Sequence, residues 1–466
     1  MNASLLAALK HRLPDLKLST EPGDREHFGR DWTRRWTPEP LAIAWPGSVE
    51  EVRALVRWAA ESGVAIVPSG GRTGLSGGAV AAAGELVVSF DRMKQVIAFN
   101  PVDRTLTVQP GITLQAVQDA AREHGLIYPV DFAARGSCQI GGNIATNAGG
   151  IRVIRYGNTR QWVAGLKVVT GTGELLDLNR ALVKNASGYD LRHLMIGSEG
   201  TLGLIVEATL LLTDPPPDSN VMVFAVPAMD ALMQVFATCR AQLTVSAFEF
   251  FTDRALHHVT RHGAQRPFES DSPFYVITEF DAGSQAQQDA ALAVFERCLE
   301  NGWVTDGVIS QSEAQARALW RLREGITESL APHRPYKNDI SVRISAVPAF
   351  LHDMQELLAR EYPHFDCVWF GHIGDGNLHI NVLRPEGMPD AQFISECERV
   401  TKLLCEVLEK HGGSISAEHG IGLVKKPYLD TVRSAADIAL MRGIRGVLDP
   451  AGVFNPGKLF DSTPPA

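Results

Sequence analysis

The sequence predicts a two-domain α+β protein, and three observations carry that expectation. Between Pro46 and Gln109, short apolar runs alternate with turn-rich segments and one helical pattern. Pro215-Pro216-Pro217 then interrupts the chain as a linker. Beyond it, apolar runs and helical patterns alternate from Val221 to Glu361, as in a second α+β unit. At 466 residues the chain can bury a substantial core in two large domains without disulfide staples.

Each element has a local reason. Ser48 and Glu51 fit an S-x-x-E capping box. Val49, Val52, Leu55, Val56 and Ala59 recur at helical spacing behind it, and Gly63 ends the helix. Residues 64–68 read as a buried strand. Residues 69–78 follow with five glycines in ten positions. Strands are expected at 85–90, 95–100 and 105–109. Small residues dominate 128–150; such a segment is expected not to pack a core through its own side chains, but it lets backbone approach a ligand closely. Residues 197–203 are glycine-rich again and precede a β-rich run at 204–212. After the triple proline, strands are expected at 221–226, 245–251, 274–280, 304–310 and 340–345. Helices are expected at 228–240, 284–301, 313–330 and 349–361. From Ser414 the chain turns glycine-rich once more.

Composition narrows the function classes. Hydrophobic residues are 45% and charged residues 21%, which excludes a disordered chain, a collagen-like fibre and a coiled coil. A formal net charge of −9 argues against nonspecific nucleic-acid binding, and no nucleic-acid partner is expected. The six cysteines show no C-x-x-C spacing and read as free thiols in a reducing compartment. The N-terminal residues carry charges where a secretion signal needs an apolar run, and no stretch of apolar residues is long enough to span a bilayer. A cytoplasmic location without a transmembrane segment is the expectation.

Three constellations could carry chemistry. The loop Gly70–Gly78 could cradle phosphate through converging backbone N–H groups, although neither G-x-G-x-x-G nor a Walker A is present. Alone it could equally be a surface loop. Gly452–Lys458 approaches a Walker A but ends on Leu459 where Ser or Thr is needed, and it is rejected.

The second constellation is FGHIGDGNLHINV, residues 370–382. Asp375-Gly376 is a strong two-residue hairpin signal. That turn would place His372 opposite His379, with Cβ atoms about 4.5–5.5 Å apart. Asn381 would share their face. The imidazoles could reach one metal ion, or be structural. Glu418 could add a carboxylate, with the neighbouring His419 diverging from it in an extended segment and serving as a base. Glu418 could instead pair with Lys425 or Lys426. The third constellation is Arg323 and Thr327, four apart on one helix face, followed by Lys337; an ordinary solvated face is the stronger reading of these residues alone.

The stretches PSGGRTGLSGG, QIGGNIATNAGG, RYGNTR, GSEGTLG, FGHIGDGNLHINV, SAEHGIG and NPGKLF together carry a family resemblance. Over nearly its whole length the chain resembles the FAD-linked hydroxyacid dehydrogenases of the vanillyl-alcohol oxidase flavoprotein superfamily. WRLREGITESL and PYKNDIS bring it nearest to members acting on D-2-hydroxyglutarate. The resemblance implies a vanillyl-alcohol-oxidase-type FAD-binding fold with an α+β substrate domain. Residues 1–215 would form the FAD-binding domain and 216–413 the substrate domain, with 414–466 returning to the first domain and the active site.

The resemblance also implies roles. Pro68, Ser69, Gly70, Gly71, Arg72, Thr73, Gly74, Ser76 and Gly77 would hold the pyrophosphate of noncovalent FAD. Ile140, Gly141, Gly142, Asn143, Thr146, Asn147, Gly149 and Gly150, with Glu199, Gly200 and Ile205, would wrap the flavin and adenosine. Asn455 would lie near the isoalloxazine. His372, His379 and Glu418 would bind a divalent metal, zinc first, with manganese or iron as alternatives. Arg323, Thr327, Lys337, Asn381 and His419 would contact substrate, and His419 would be the catalytic base.

Arg343 stands where the family tends to carry a small or apolar residue. Arg323 and Lys337 would hold the distal carboxylate of a diacid. The implied reaction is oxidation of D-2-hydroxyglutarate to 2-oxoglutarate by hydride transfer to flavin N5. An electron-transfer flavoprotein or quinone-linked acceptor would follow, and a homodimer is expected. The alternatives are D-lactate or glycolate oxidation on the same fold, or an FAD-binding subunit of a multi-subunit glycolate oxidase.

Overall fold

The computed structural model describes residues 2–461. The chain divides into two compact units: residues 1–150, 157–215 and 418–466 form the first, and 151–156 with 216–417 the second. The short piece 151–156, expected in the first domain, belongs to the second unit. Its helix Val153–Tyr156 lies against that unit's sheet, where Arg152 Nε pairs with Glu279 at 2.8 Å and Arg155 pairs with Asp281. Two ion pairs to buried carboxylates outweigh chain proximity here.

The first unit holds two sheets. The strands β1 (Lys17–Ser19), β2 (Ala42–Trp45), β3 (Ile66–Ser69) and β4 (Leu86–Ser89) lie in the order β1-β2-β4-β3, with β2, β4 and β3 parallel. The helix Val49–Ser62 links β2 to β3. Ser48 Oγ accepts from Glu51 N–H at its start, and Gly63 ends it at φ 65°. The Glu51 carboxylate accepts from Gly47 N–H at 2.6 Å rather than from Ser48, so the expected box closes one residue further out. Such a cap contributes about 1 kcal/mol. Val52, Leu55, Val56 and Ala59 bury the helix's apolar stripe against β2, β4 and Phe454.

The second sheet is antiparallel. It comprises β5 (Val96–Asn100), β6 (Thr105–Val108), β7 (Val163–Val169), β8 (Leu175–Leu178) and β9 (Leu204–Leu211), in the order β5-β6-β9-β7-β8. Its core includes Ile140 and Ile144 from a helix, Ile140–Thr146, inside the segment expected to pack nothing. Two isoleucines four apart are enough to anchor those roughly two turns of helix, while the intervening small residues keep its other side low.

The second unit is built on one antiparallel seven-stranded sheet. Its strands are β10 (Ser219–Val226), β11 (Val245–Thr252), β12 (Phe274–Asp281), β13 (Asp306–Ile309), β14 (Tyr336–Ser341), β15 (Asp366–Gly371) and β16 (Asn377–Leu383). They run in the order β13-β10-β12-β11-β15-β16-β14. Helix Glu313–Leu330 covers one face, packing Leu319, Trp320, Leu322 and Ile326 with Phe251, Tyr275, Val368 and Phe370.

Strand β14 begins four residues earlier than the apolar pattern suggests, because Lys337 and Asn338 enter the ladder opposite Asn381 and Ile380. All six cysteines are free. Among the described residues, no helix is long and apolar enough to cross a membrane.

Candidate active site

In the first unit the glycine-rich segments converge. A Cβ on Gly71 would meet Ser137 O at 2.1 Å and Cys138 Cα at 2.7 Å, so the loop after β3 lies flat against the entry to helix Ile140–Thr146. Gly70 sits beside Gln139, while a Cβ on Gly142 would meet nothing within 4 Å. Arg72, at φ 59°, donates to Gly70 O at 2.8 Å and packs over the Phe28 ring.

Several residues expected to hold cofactor also build this surface through contacts of their own. Ser69 Oγ donates to Phe28 O, and Ser76 O accepts from the N–H groups of Leu423 and Val424. Pro68 lies against the turn at Gly200, Thr146 Oγ donates back to Gly142 O, and Asn143 Nδ2 reaches Cys138 Sγ. Asn147 closes the helix at φ 50°, and Gly150 abuts Asp131 O. Ile205 belongs to the hydrophobic core. Thr73, Gly141 and Gly149 are half-buried, Gly74 is exposed, and Gly77 is buried.

Glu199 shows how the C-terminal return is secured. The residue is held at φ 52°, and its carboxylate accepts from Ile421 N–H at 2.7 Å and Gly422 N–H at 2.8 Å. Burial pushes its carboxyl above the usual range, and those two donors oppose the shift. Asn455 Nδ2 donates to Gly78 O and to Glu199 O, joining three remote segments.

Two buried acceptors, Asn455 Oδ1 and Gln139 Oε1, have no hydrogen-bond partner. Orphaned acceptors beside a glycine-lined surface suit a ligand that brings its own N–H and O–H donors, as FAD does. Sequence reasoning missed Gln139 and also Asp31, whose buried carboxylate accepts from Gly77 N–H at 2.7 Å. No local pattern marks Asp31; it lies 46 positions from its partner.

Glu418 and His419 lie at the start of the same return. Their side chains do not diverge: His419 Nε2 is 3.5 Å from Glu418 Oε1. The chain bends through 417–419 and Gly420 takes φ 80°, so the alternation of an extended strand does not apply.

In the second unit, the connection between β15 and β16 is longer than a two-residue turn. Phe370, not His372, is the register partner of His379. Tertiary contacts impose this. Gly374 N–H donates to Phe248 O, and a Cβ on Gly376 would meet Val342 O at 2.1 Å. The shift is two residues, and a strand's side chains alternate with period two, so the expected face survives. The two imidazoles are diagonal neighbours with centroids 5.3 Å apart.

Around them the sheet collects polar groups. Asp339 is the register partner of His379, with Oδ1 3.7 Å from Nδ1, and Asn377 Nδ2 donates to Asp339 Oδ1. Glu249 Oε1 lies 2.6 Å from His372 Nδ1, and Glu249 Oε2 lies 2.9 Å from Arg323 Nε. Arg323 also packs over the Phe370 ring at 4.7 Å.

Lys337 pairs in register with Asn381, two residues from His379, and so shares the histidine face. Burial pulls its ammonium below the usual lysine range, and no charged neighbour opposes the shift. The two expected carboxylate anchors therefore differ. Arg323 already has an acidic partner, whereas among the described residues Lys337 has none. Thr327 is exposed, and the structure does not bring it into this buried group. Arg343 is exposed as well.

Comparison with known proteins matches residues 40–179 to the FAD binding domain family and residues 215–459 to the family of FAD linked oxidases, C-terminal domain. The chain is 70% identical over 457 residues to a D-2-hydroxyglutarate dehydrogenase of Xanthomonas citri pv. viticola, covering 98% of this chain and 97% of the relative. It is 52% identical over 458 residues to a D-2-hydroxyglutarate dehydrogenase of Stutzerimonas stutzeri, covering 98% and 99%. A putative mitochondrial D-lactate dehydrogenase of Schizosaccharomyces pombe is 35% identical, covering 95% of this chain and 86% of the relative.

Among solved structures, p-cresol methylhydroxylase with substrate bound shares the fold at TM-score 0.77 and 14% identity, covering 98% of this chain and 97% of that one. The 4-ethylphenol oxidase from Gulosibacter chungangensis shares it at TM-score 0.74 and 17% identity, with the same coverage. The glycine-lined surface, the two family matches and relatives similar over almost the full chain lead to one conclusion: this chain belongs to the FAD-linked oxidases, among the FAD-linked D-2-hydroxyacid dehydrogenases of the vanillyl-alcohol oxidase superfamily.

Proposed function

We propose that the protein oxidises D-2-hydroxyglutarate to 2-oxoglutarate. The observation that carries the substrate class is Lys337, a largely buried ammonium that has no acidic partner among the described residues and lies on the face that holds His372 and His379. A buried cation is costly unless an anion meets it, and the distal carboxylate of a diacid would do so. The names of the similar bacterial proteins support the particular diacid.

The residues divide the work. Arg323, steadied by Glu249 and Phe370, presents its guanidinium beside Lys337's face as a second carboxylate contact. Asn381 lies opposite Lys337 and orients the substrate by hydrogen bonding. His419 takes the proton of the C2 hydroxyl. His372 and His379, joined by Glu418 as the family resemblance implies, would hold the divalent ion. Noncovalent FAD, held by the glycine-lined surface, supplies the two-electron acceptor for the C2 hydride, and the metal supplies Lewis-acid polarisation of the hydroxyl. An electron-transfer flavoprotein or quinone-linked carrier takes the electrons onward.

The test is dye reduction by purified holoenzyme with D- and L-2-hydroxyglutarate, D-malate, D-lactate and glycolate. D-2-hydroxyglutarate should exceed D-lactate by at least about tenfold in kcat/KM, roughly 1.4 kcal/mol of transition-state binding. The named relative in Schizosaccharomyces pombe makes D-lactate the reading to beat. A preference for D-lactate overturns the diacid assignment.

A further inference from the structure

Strand β11 reads Val245-Ser-Ala-Phe-Glu-Phe-Phe-Thr252, an apolar strand with one carboxylate in its middle. Glu249 is 1% exposed. A carboxylate so deep in a sheet is retained only if specific partners compensate its lost hydration. Glu249 has two, and each belongs to a different part of the site. Oε1 lies 2.6 Å from His372 Nδ1, and Oε2 lies 2.9 Å from Arg323 Nε. Its position follows from the ladder: Phe250 and Phe251 pair with Gly371 and Phe370, so Glu249 falls beside the first residue of the connection, His372.

We propose that Glu249 is a positioning residue that couples the metal end of the site to its carboxylate-binding end. The inference rests on the reading of His372 as a metal ligand and Arg323 as a substrate contact. A carboxylate on Nδ1 keeps the proton there, leaves the lone pair on Nε2, and raises the basicity of that nitrogen toward a metal. The other oxygen forms a close ion pair with Arg323 Nε, without the alignment of a hydrogen bond, and its charge keeps the guanidinium at that end of the strand. Asp339 stands in the matching register position behind His379, but at 3.7 Å its contact is looser. Glu249 therefore sets His372 and also reaches Arg323.

The experiment uses full-length FAD-loaded protein and compares wild type with Glu249→Gln and with the double variant Glu249→Met/Arg323→Met. The double variant removes the buried charges together and so spares the fold if the single one does not. Zinc affinity is read by competition with a chromophoric chelator, flavin content by absorbance, and kcat and KM by dye reduction. Both variants should bind zinc about 10- to 100-fold more weakly at unchanged flavin content. Glu249→Gln should also raise KM for D-2-hydroxyglutarate more than it lowers kcat at saturating zinc. Wild-type zinc affinity in both variants overturns the inference while leaving the metal reading intact. A wild type that binds no divalent ion overturns the metal reading itself, and the inference with it.

Discussion

Lys337 and Asn381 face each other across the ladder between β14 and β16, and the lysine's lowered pKa has burial as its whole cause. Most buried lysines are tolerated because a carboxylate stands nearby. Here the site is arranged so that the substrate can be that carboxylate.

Replacing Lys337 with Met should therefore lower kcat/KM for D-2-hydroxyglutarate at least about tenfold and leave D-lactate nearly unaffected. Thermal stability should hold or rise, because a desolvated charge is removed. The pH dependence has a definite sign. The ammonium is the binding form and its pKa lies below the ordinary lysine range, so KM for the diacid should climb with pH before an ordinary lysine would titrate. Equal losses on both substrates would assign Lys337 a structural role.

Metal removal is the second expectation. Treatment with a chelator should abolish dye reduction while the visible flavin absorbance stays, and zinc or manganese should restore turnover. His379→Ala should weaken the ion strongly, since it removes one of about three protein ligands. Full activity in a sample shown to be metal-free would dismiss a catalytic ion.

Gly71 offers a test of the cofactor surface. A methyl group there meets the carbonyl oxygen of Ser137 at 2.1 Å, and that neighbour is backbone, which cannot swing aside. Gly71→Ala should push the loop off the helix entry. We expect purified protein with sharply reduced flavin content, measured after denaturing release, and a lower melting temperature on FAD titration than wild type. Normal flavin stoichiometry would show that the loop does not approach the cofactor.

Lys458 carries a pH prediction for stability. It is 2% exposed, Nζ donates to Val80 O, and burial pulls its pKa down to about 8. Between pH 8 and the unfolded lysine value the unfolded chain binds a proton that the folded chain does not, so this group makes stability rise with pH. Lys458→Met should remove that rise. The stability of wild type relative to the variant should improve by on the order of 3 kcal/mol from pH 7 to above pH 10. Denaturant midpoints that keep a constant offset across this range would contradict the assignment.

The sequence by itself determined the elements whose causes are local. The cap at Ser48, the αL glycine at 63 and the apolar stripe between them require no distant partner, and the helix Val49–Ser62 follows. The shared face of His372 and His379 was also legible, because a shift of two residues leaves strand parity unchanged. The glycine-rich segments and the histidine motif likewise pointed to FAD and to a metal-binding face through the family they resemble.

Tertiary structure alone decided the rest. The turn after β15 lengthened because Gly374 and Gly376 answer to Phe248 and Val342, not to each other. Arg323 and Lys337 look equivalent as two cations in sequence, yet Glu249 on a strand more than seventy positions away balances only the first. Thr327 stays exposed one helical turn from buried Arg323. Each of these outcomes depends on desolvation and charge pairing between segments remote along the chain. Spacing and propensity act over a few residues, so they place a side chain on a face. Only packing determines what stands across from it.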